Sequence, residues 1–244
     1  MPVTADAVRD ALDDVTDPEL DQPITDLDYI ETLDVSDDGD VHLAFVLPTA
    51  WCSPTFAWMM AADARDAASA LDGVADVRIE LRDHMHAEEV TRGVNEDLSF
   101  ETAFDTADGE VASTRATLDR KARLARQYDA MEALDDAGVD DRQLARLRRG
   151  DLTVEEDRVT IDLDGLYVEL DARPLERYLE KARAVDLVTD DDDRLFASRD
   201  EETLSPADVP RARRASRLAK TNMGGQGGVC ASLHASRNPE LADD

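Results

Sequence analysis

"VHLAFVLPTAWCSPTFAWMMAADARDAASALDGVADVRIEL", residues 41 to 81, sets two alternating runs on either side of a helical one. In "VHLAFVL" apolar side chains recur at every second position, the period of a half-buried strand. "SPTFAWMMAADARDAASAL" begins with Ser53 as expected cap and Pro54 at the first helical position, and Gly73 follows its end, so this stretch predicts a helix. "VADVRIEL" alternates again, with Val77, Ile79 and Leu81 sharing one face.

Working outward, "IETLDV" precedes the first strand across "SDDGD", whose Asp-Gly step is a hairpin turn signal. Further upstream, Thr4 can cap a helix whose apolar positions are Val8, Ala11, Leu12 and Val15 and which Pro18 stops. The resulting order of helix, strand, strand, helix, strand predicts an α/β (α+β) fold, a small αββαβ sandwich over about the first 85 residues. Downstream, "STRATLDRKARLARQYDAMEALDDA" and "VDDRQLARLRRG" predict helices, the second ending at Gly150. "RVTIDLDGLYVEL" predicts a hairpin around Asp164-Gly165, "RPLERYLEKARAV" a helix, and "TDDDDRLFASRDEETLSPADV" an exposed acidic loop. The expected division is 1–106 for the sandwich, 107–200 for an α/β extension of helices and a hairpin, and 201–244 for a basic, glycine-hinged tail.

Acidic residues number 57 against 27 basic ones in 244, a net charge of -30, and lysine occurs only at Lys121, Lys181 and Lys220. The acids are spread along the chain, the pattern of a surface adapted to a salt-rich cytoplasm such as that of salt-in halophilic archaea. Such a surface argues against nucleic acid or an anionic membrane as partner. No run reaches the roughly 20 apolar residues of a membrane span. "MPVTADAVRD" lacks the basic and apolar regions of a signal peptide, so a cytoplasmic location is expected.

Cys52 and Cys230 are the two cysteines, too few for a disulfide framework. Cys52 stands between a strand and a Ser-Pro helix start, where unpaired amides and the helix dipole favour thiolate. The alternative is that it fills space beside Trp51 and Phe56. In "NMGGQGGVCASLHAS", Cys230 and His234 are four apart and share a face if the stretch is helical; otherwise it is a loose tail with an accidental Cys and His. The glycines before them suggest a movable segment.

"RDHMHAEE" brings His84 and His86 close to Asp83 and Glu88, a weak signal for an iron or zinc site. In "TDPEL", Asp17 and Glu19 either bind a cation or end the preceding helix. A Walker loop, a strand-anchored GxGxxG, a GxSxG elbow, HExxH and CxxC are all missing. With two thiols per chain, an all-thiolate cluster cannot be housed by a monomer, so iron or a cluster would be held transiently, in a homodimer, or with other ligands.

"VRDALDDVTDPELDQPITDLDYIETLDV", "DVHLAFVLPTAWC" and "ALDGVADVRIEL" together resemble the PaaD-like and SufT-like metal-sulfur cluster biosynthesis family, over about residues 5 to 85. The resemblance implies a non-enzymatic maturation factor that carries iron or an iron-sulfur cluster to apo client proteins, with a di-iron oxygenase as one client it suggests. It places the family's DPE motif on Asp17, Pro18 and Glu19, its threonine on Thr49 and its reactive cysteine on Cys52. A glycine that many members carry after the Asp-Leu pair is Asp28 here. A narrower resemblance, to a subgroup encoded near di-iron monooxygenases, draws His84, Cys230 and His234 into the same site. Cys230 and His234 closing over the site would bring Cys230 close to Cys52.

Two other readings compete. A metal-free adaptor would bind apo-clients through Trp51, Phe56, Trp58, Met59 and Met60. A mononuclear hydrolase would need Asp83, His84 and His86 on one ion, which strand alternation opposes.

Overall fold

A computed structural model describes residues 3–104, 111–155, 157–163 and 165–238. The expected boundary at 106/107 and Asp164 of the expected hairpin lie outside these residues. The chain divides into two units: residues 1–114 with 225–244, and residues 115–224.

In the first unit, the Thr4 hydroxyl accepts the Ala7 N–H and opens helix α1, Ala5–Leu12. Helix α1 buries Val8 and Leu12 but stops well before Pro18, because the next residues turn into a two-residue ladder, β1 Thr16–Asp17 against β2 Gln22–Pro23. Strand β3, Ile30–Val35, pairs antiparallel with β4, Asp40–Val46. Gly39 makes the turn between them at φ +89°, and a Cβ there would run into the Gly73 carbonyl. Helix α2, Pro54–Ser69, then crosses over to β5, Asp76–Arg82, which pairs parallel with β4 in the sheet order β3-β4-β5.

The register sets Val41 opposite Val77, Leu43 opposite Ile79 and Phe45 opposite Leu81, and all six are buried against helix α2 and helix α3, Ala87–Asn95. The αββαβ order is therefore the one expected, with helix α4, Phe100–Ala103, following α3. The crossover from β4 through α2 leaves the chain at the carboxyl end of a parallel pair, where α/β folds bind ligands. Residues 47–53 occupy that turn.

Strand β5 ends at Arg82 because Asp83 takes φ +51°. Residues 83–86 are consequently a turn, so the alternation argument used to separate Asp83 from His84 and His86 does not apply. Ser53 does not cap α2 with its side chain; its carbonyl accepts the Phe56 and Ala57 N–H groups.

Helix α5, Val111–Asp136, leads into the second unit. The next expected helix shrinks to α6, Asp141–Leu144, with a 3-10 turn at Arg149–Asp151, since Leu147 to Arg149 are drawn into backbone pairing with residues 193–195. Strands β6 (Leu152–Glu155), β7 (Arg158–Leu163) and β8 (Leu166–Asp171) form an antiparallel meander, followed by helix α7, Arg173–Ala184. The stretch expected to be an exposed acidic loop instead inserts Leu195, Phe196 and Ala197 into this unit's core.

Helix α8 runs from Val209 to Arg237 without a break, so Gly224, Gly225, Gly227 and Gly228 are helical rather than a loop hinge. The division between the two units falls between Gly224 and Gly225.

Candidate functional site

Within the first unit, Asp17 is the anchor of the "DPEL" turn. Its Oδ1 accepts the Glu19 N–H at 2.9 Å and the Leu20 N–H at 3.2 Å, which explains why a carboxylate stands there. Oδ2 accepts the Tyr29 hydroxyl at 3.2 Å. Asp17 is buried, and burial holds its carboxyl above the usual range against the pull of those three donors. Burial likewise pushes the Tyr29 phenol up, and the negative charges of Asp17, Cys230 and Cys52 add to it.

Cys52 is half-buried in the turn before α2. Its sulfur lies 3.5 Å from Thr49 Oγ1, and that oxygen also accepts the Trp51 N–H at 3.2 Å. Thr49 thus ties the sulfur to the bend that presents it. His84 supports the same bend from behind: Nε2 donates to the Cys52 carbonyl at 2.9 Å, while Nδ1 accepts the His86 N–H at 3.2 Å. These two contacts fix the neutral tautomer, and burial holds the ring below the ordinary histidine value.

The last part of α8, residues 225–237, lies in the same unit, with Asn238 just beyond it. Gln226 donates to Glu19 at 3.2 Å, and His234 Nε2 donates to the Asp28 carbonyl at 2.9 Å. His234 Nδ1 accepts from the Asn238 amide at 3.2 Å, and its ring sits 5.2 Å from that of Tyr29. Arg237 donates to the Leu47 and Asp83 carbonyls, on both sides of the Cys52 turn. This strap carries Cys230. Burial pushes the Cys230 thiol up, and the charges of Asp17, Cys52 and Glu19 push it further. The chain's two thiols, two acids and Tyr29 therefore act on one another electrostatically.

Residues 5–81 match the iron-sulfur cluster assembly protein family.

The assembly-family match covers α1 to β5 and includes Asp17, Glu19, Thr49 and Cys52. The chain is also similar to an uncharacterized protein of Methanocaldococcus jannaschii, 29% identical over 94 residues, which are 38% of this chain and 97% of that relative. Most of this chain thus has no counterpart there. No solved structure matches it significantly. The family match supports a general role in iron-sulfur cluster assembly, and no helix among the described residues is long and apolar enough to cross a membrane.

Where the resemblance expects glycine, Asp28 takes φ +54°, so the left-handed turn is made with aspartate. Its carbonyl is then free to receive His234. Of the predicted metal-binding groups, His84 and His234 each use both ring nitrogens in hydrogen bonds. Among the described residues, no three His, Cys, Asp or Glu side chains gather as a metal site. His86 faces Glu89 and Phe104 instead of sharing a ligand position with His84 and Asp83. Trp58, Met59 and Met60, expected on an adaptor surface, are buried in the core, whereas Trp51 is 76% exposed.

Tyr29 and Arg237 were not legible as site residues. Tyr29 is the lone aromatic of "DQPITDLDYI", a weak signal in hindsight; Arg237 offers none, being one arginine among many.

Proposed function

We propose that this protein holds iron or an iron-sulfur cluster in transit and delivers it to apo client proteins, with Cys52 and Cys230 supplying the thiolates. The observation that supports this is that Cys52, held at its turn by Thr49, and Cys230, on the α8 strap that His234 and Arg237 fasten to the same unit, come from opposite parts of the chain and each bear electrostatically on Tyr29. Two thiolates and flanking carboxylates suit ferrous or ferric iron, but they make up only part of the coordination shell. The remaining ligands come from a second molecule, either another copy of this chain or the client, and a shared shell of that kind is what lets cargo change hands.

Thr49 orients Cys52, and Asp17 and Glu19 shape the site. His84 and His234 act as positioning residues: one holds the Cys52 turn and the other holds the strap that carries Cys230. The metal, once bound, is cargo. A di-iron oxygenase is one client class, in keeping with the resemblance of the sequence to PaaD-like proteins.

The test is iron and acid-labile sulfide content, with the visible spectrum, of protein purified without oxygen in concentrated potassium chloride. Wild type is expected to retain iron that both Cys52→Ser and Cys230→Ser lose. Retention in either variant defeats the two-thiol carrier. A second reading, the metal-free adaptor, draws on the exposure of Trp51 beside Cys52. It requires that Cys52→Ala leave client binding intact while Trp51→Ala abolishes it.

A further inference from the structure

The second unit carries a groove of 360 Å³ bounded by α5 and α8. Leu124 and Leu218 supply apolar surface, and Arg120, Lys121 and Arg199 supply charge, with Asn222 at one end. Among the described residues no acid lines it, in a chain where acids outnumber bases 57 to 27. Glu201 pairs with Arg120 at 3.1 Å, while Arg199 is exposed at the edge of the groove. Leu218 is 60% exposed, an apolar side chain set among cations.

The walls are fixed from beneath. Gln127 Nε2 donates to the Ser216 hydroxyl at 3.1 Å, joining α5 to α8, and to the Ala197 carbonyl at 3.0 Å. Arg123 donates to the Ser198 carbonyl at 3.3 Å, which pins the residue next to Arg199. A ligand would meet a preformed surface, with little ordering left to do on binding.

We infer that this groove is a docking site for an acidic amphipathic helix of a partner protein. Its α8 wall runs from Ala215 to Asn222, which at 1.5 Å per residue is about 10 Å, or two helical turns. Leucines spaced three and four apart on a partner helix can reach Leu124 and Leu218, and a carboxylate beside them can meet the exposed Arg199. A small inorganic anion would leave the apolar surface unused. A nucleic acid would bring a long polyanion to a chain of net charge -30, whereas a short helix brings only a few charges. The groove belongs to the second unit and the thiols to the first, and no residue is shared, so this inference stands or falls independently of the proposed carrier role.

The probe is a fluorescently labelled peptide with leucines at helical spacing and glutamates between them, titrated with the full chain; a scrambled peptide and octanoate serve as comparisons. Saturable binding is expected, weakened about tenfold by Arg199→Glu and by Leu218→Ser, and falling with added salt. Both substitutions are at exposed positions, and unchanged thermal melts will show that each variant is folded. The inference is overturned if the peptide does not bind, if the scrambled peptide binds as well, or if either variant binds undiminished. Binding of octanoate without the peptide also overturns it, and makes the groove a small-anion site.

Discussion

The two units bury polar groups for different ends. In the first, polar groups gather at the edge of an apolar core: Asp17 and His234 pack on Tyr29 and Thr49 holds the Cys52 sulfur, while the interior is mostly Val, Leu, Ile, Ala and Met. In the second they lie at the centre. Gln127 is fully buried, accepts from Arg123 at 3.0 Å and donates to Ala197 and Ser216; Tyr178 donates to the Leu195 carbonyl at 2.5 Å. Burial lowers the Arg123 guanidinium and raises the Tyr178 phenol, as a water-free setting should. The same chemistry serves to present a site in one unit and to define a unique interior in the other.

That contrast predicts unequal penalties. The largest belongs to Gln127→Leu, which takes one acceptor from the buried Arg123 and the donor from the Ala197 carbonyl; chemical denaturation should show a loss of about 2–4 kcal/mol. A loss below about 1 kcal/mol would mean that the interior network is not structural. Tyr178→Phe should cost about 1–2 kcal/mol, because it orphans a buried carbonyl. The matching Tyr29→Phe should cost less, about 0.5–1 kcal/mol, since Asp17 keeps two backbone donors. Equal penalties at the two tyrosines would erase the distinction.

The smallest effect is one of pH. His84 and His234 are held below the ordinary histidine value of 6.5 chiefly by burial, so the unfolded chain binds protons that the folded one does not. Their stabilisation is complete above 6.5 and is lost as pH falls through their lower folded values. Urea midpoints should therefore fall on acidification below that point, less steeply in His234→Gln. An unchanged slope in that variant would remove His234 from the account.

The elements of the first unit were legible because their periods are clean: alternation in 41–47 and 76–82, and a Pro-led helix between them. What failed to read through was whatever long-range contacts decide. Glycine propensity argues against a helix through 224–228, yet Gln226, His234 and Arg237 find partners that hold it helical, and at Gly227 even an added Cβ would only touch the Gln22 side chain at 3.5 Å. Leu195 and Phe196 read as part of an acidic loop because the charges flanking them outnumber them, although two adjacent apolar residues suffice to tuck a loop into a core. The thiol at the strand end was visible from sequence. The histidines' use of both ring nitrogens was not, since hydrogen-bond partners cannot be read from spacing.

The first unit is discontinuous in the chain, because residues 115–224 separate its two parts. Cys230 follows Cys52 by 178 residues (230 − 52). At roughly 5–20 residues per second of synthesis, Cys52 would be made about 9 to 36 s before its counterpart. Under the proposed carrier role, the family-matching stretch therefore leaves the ribosome with one of the two thiols, and the second follows only after the whole inserted unit has been made.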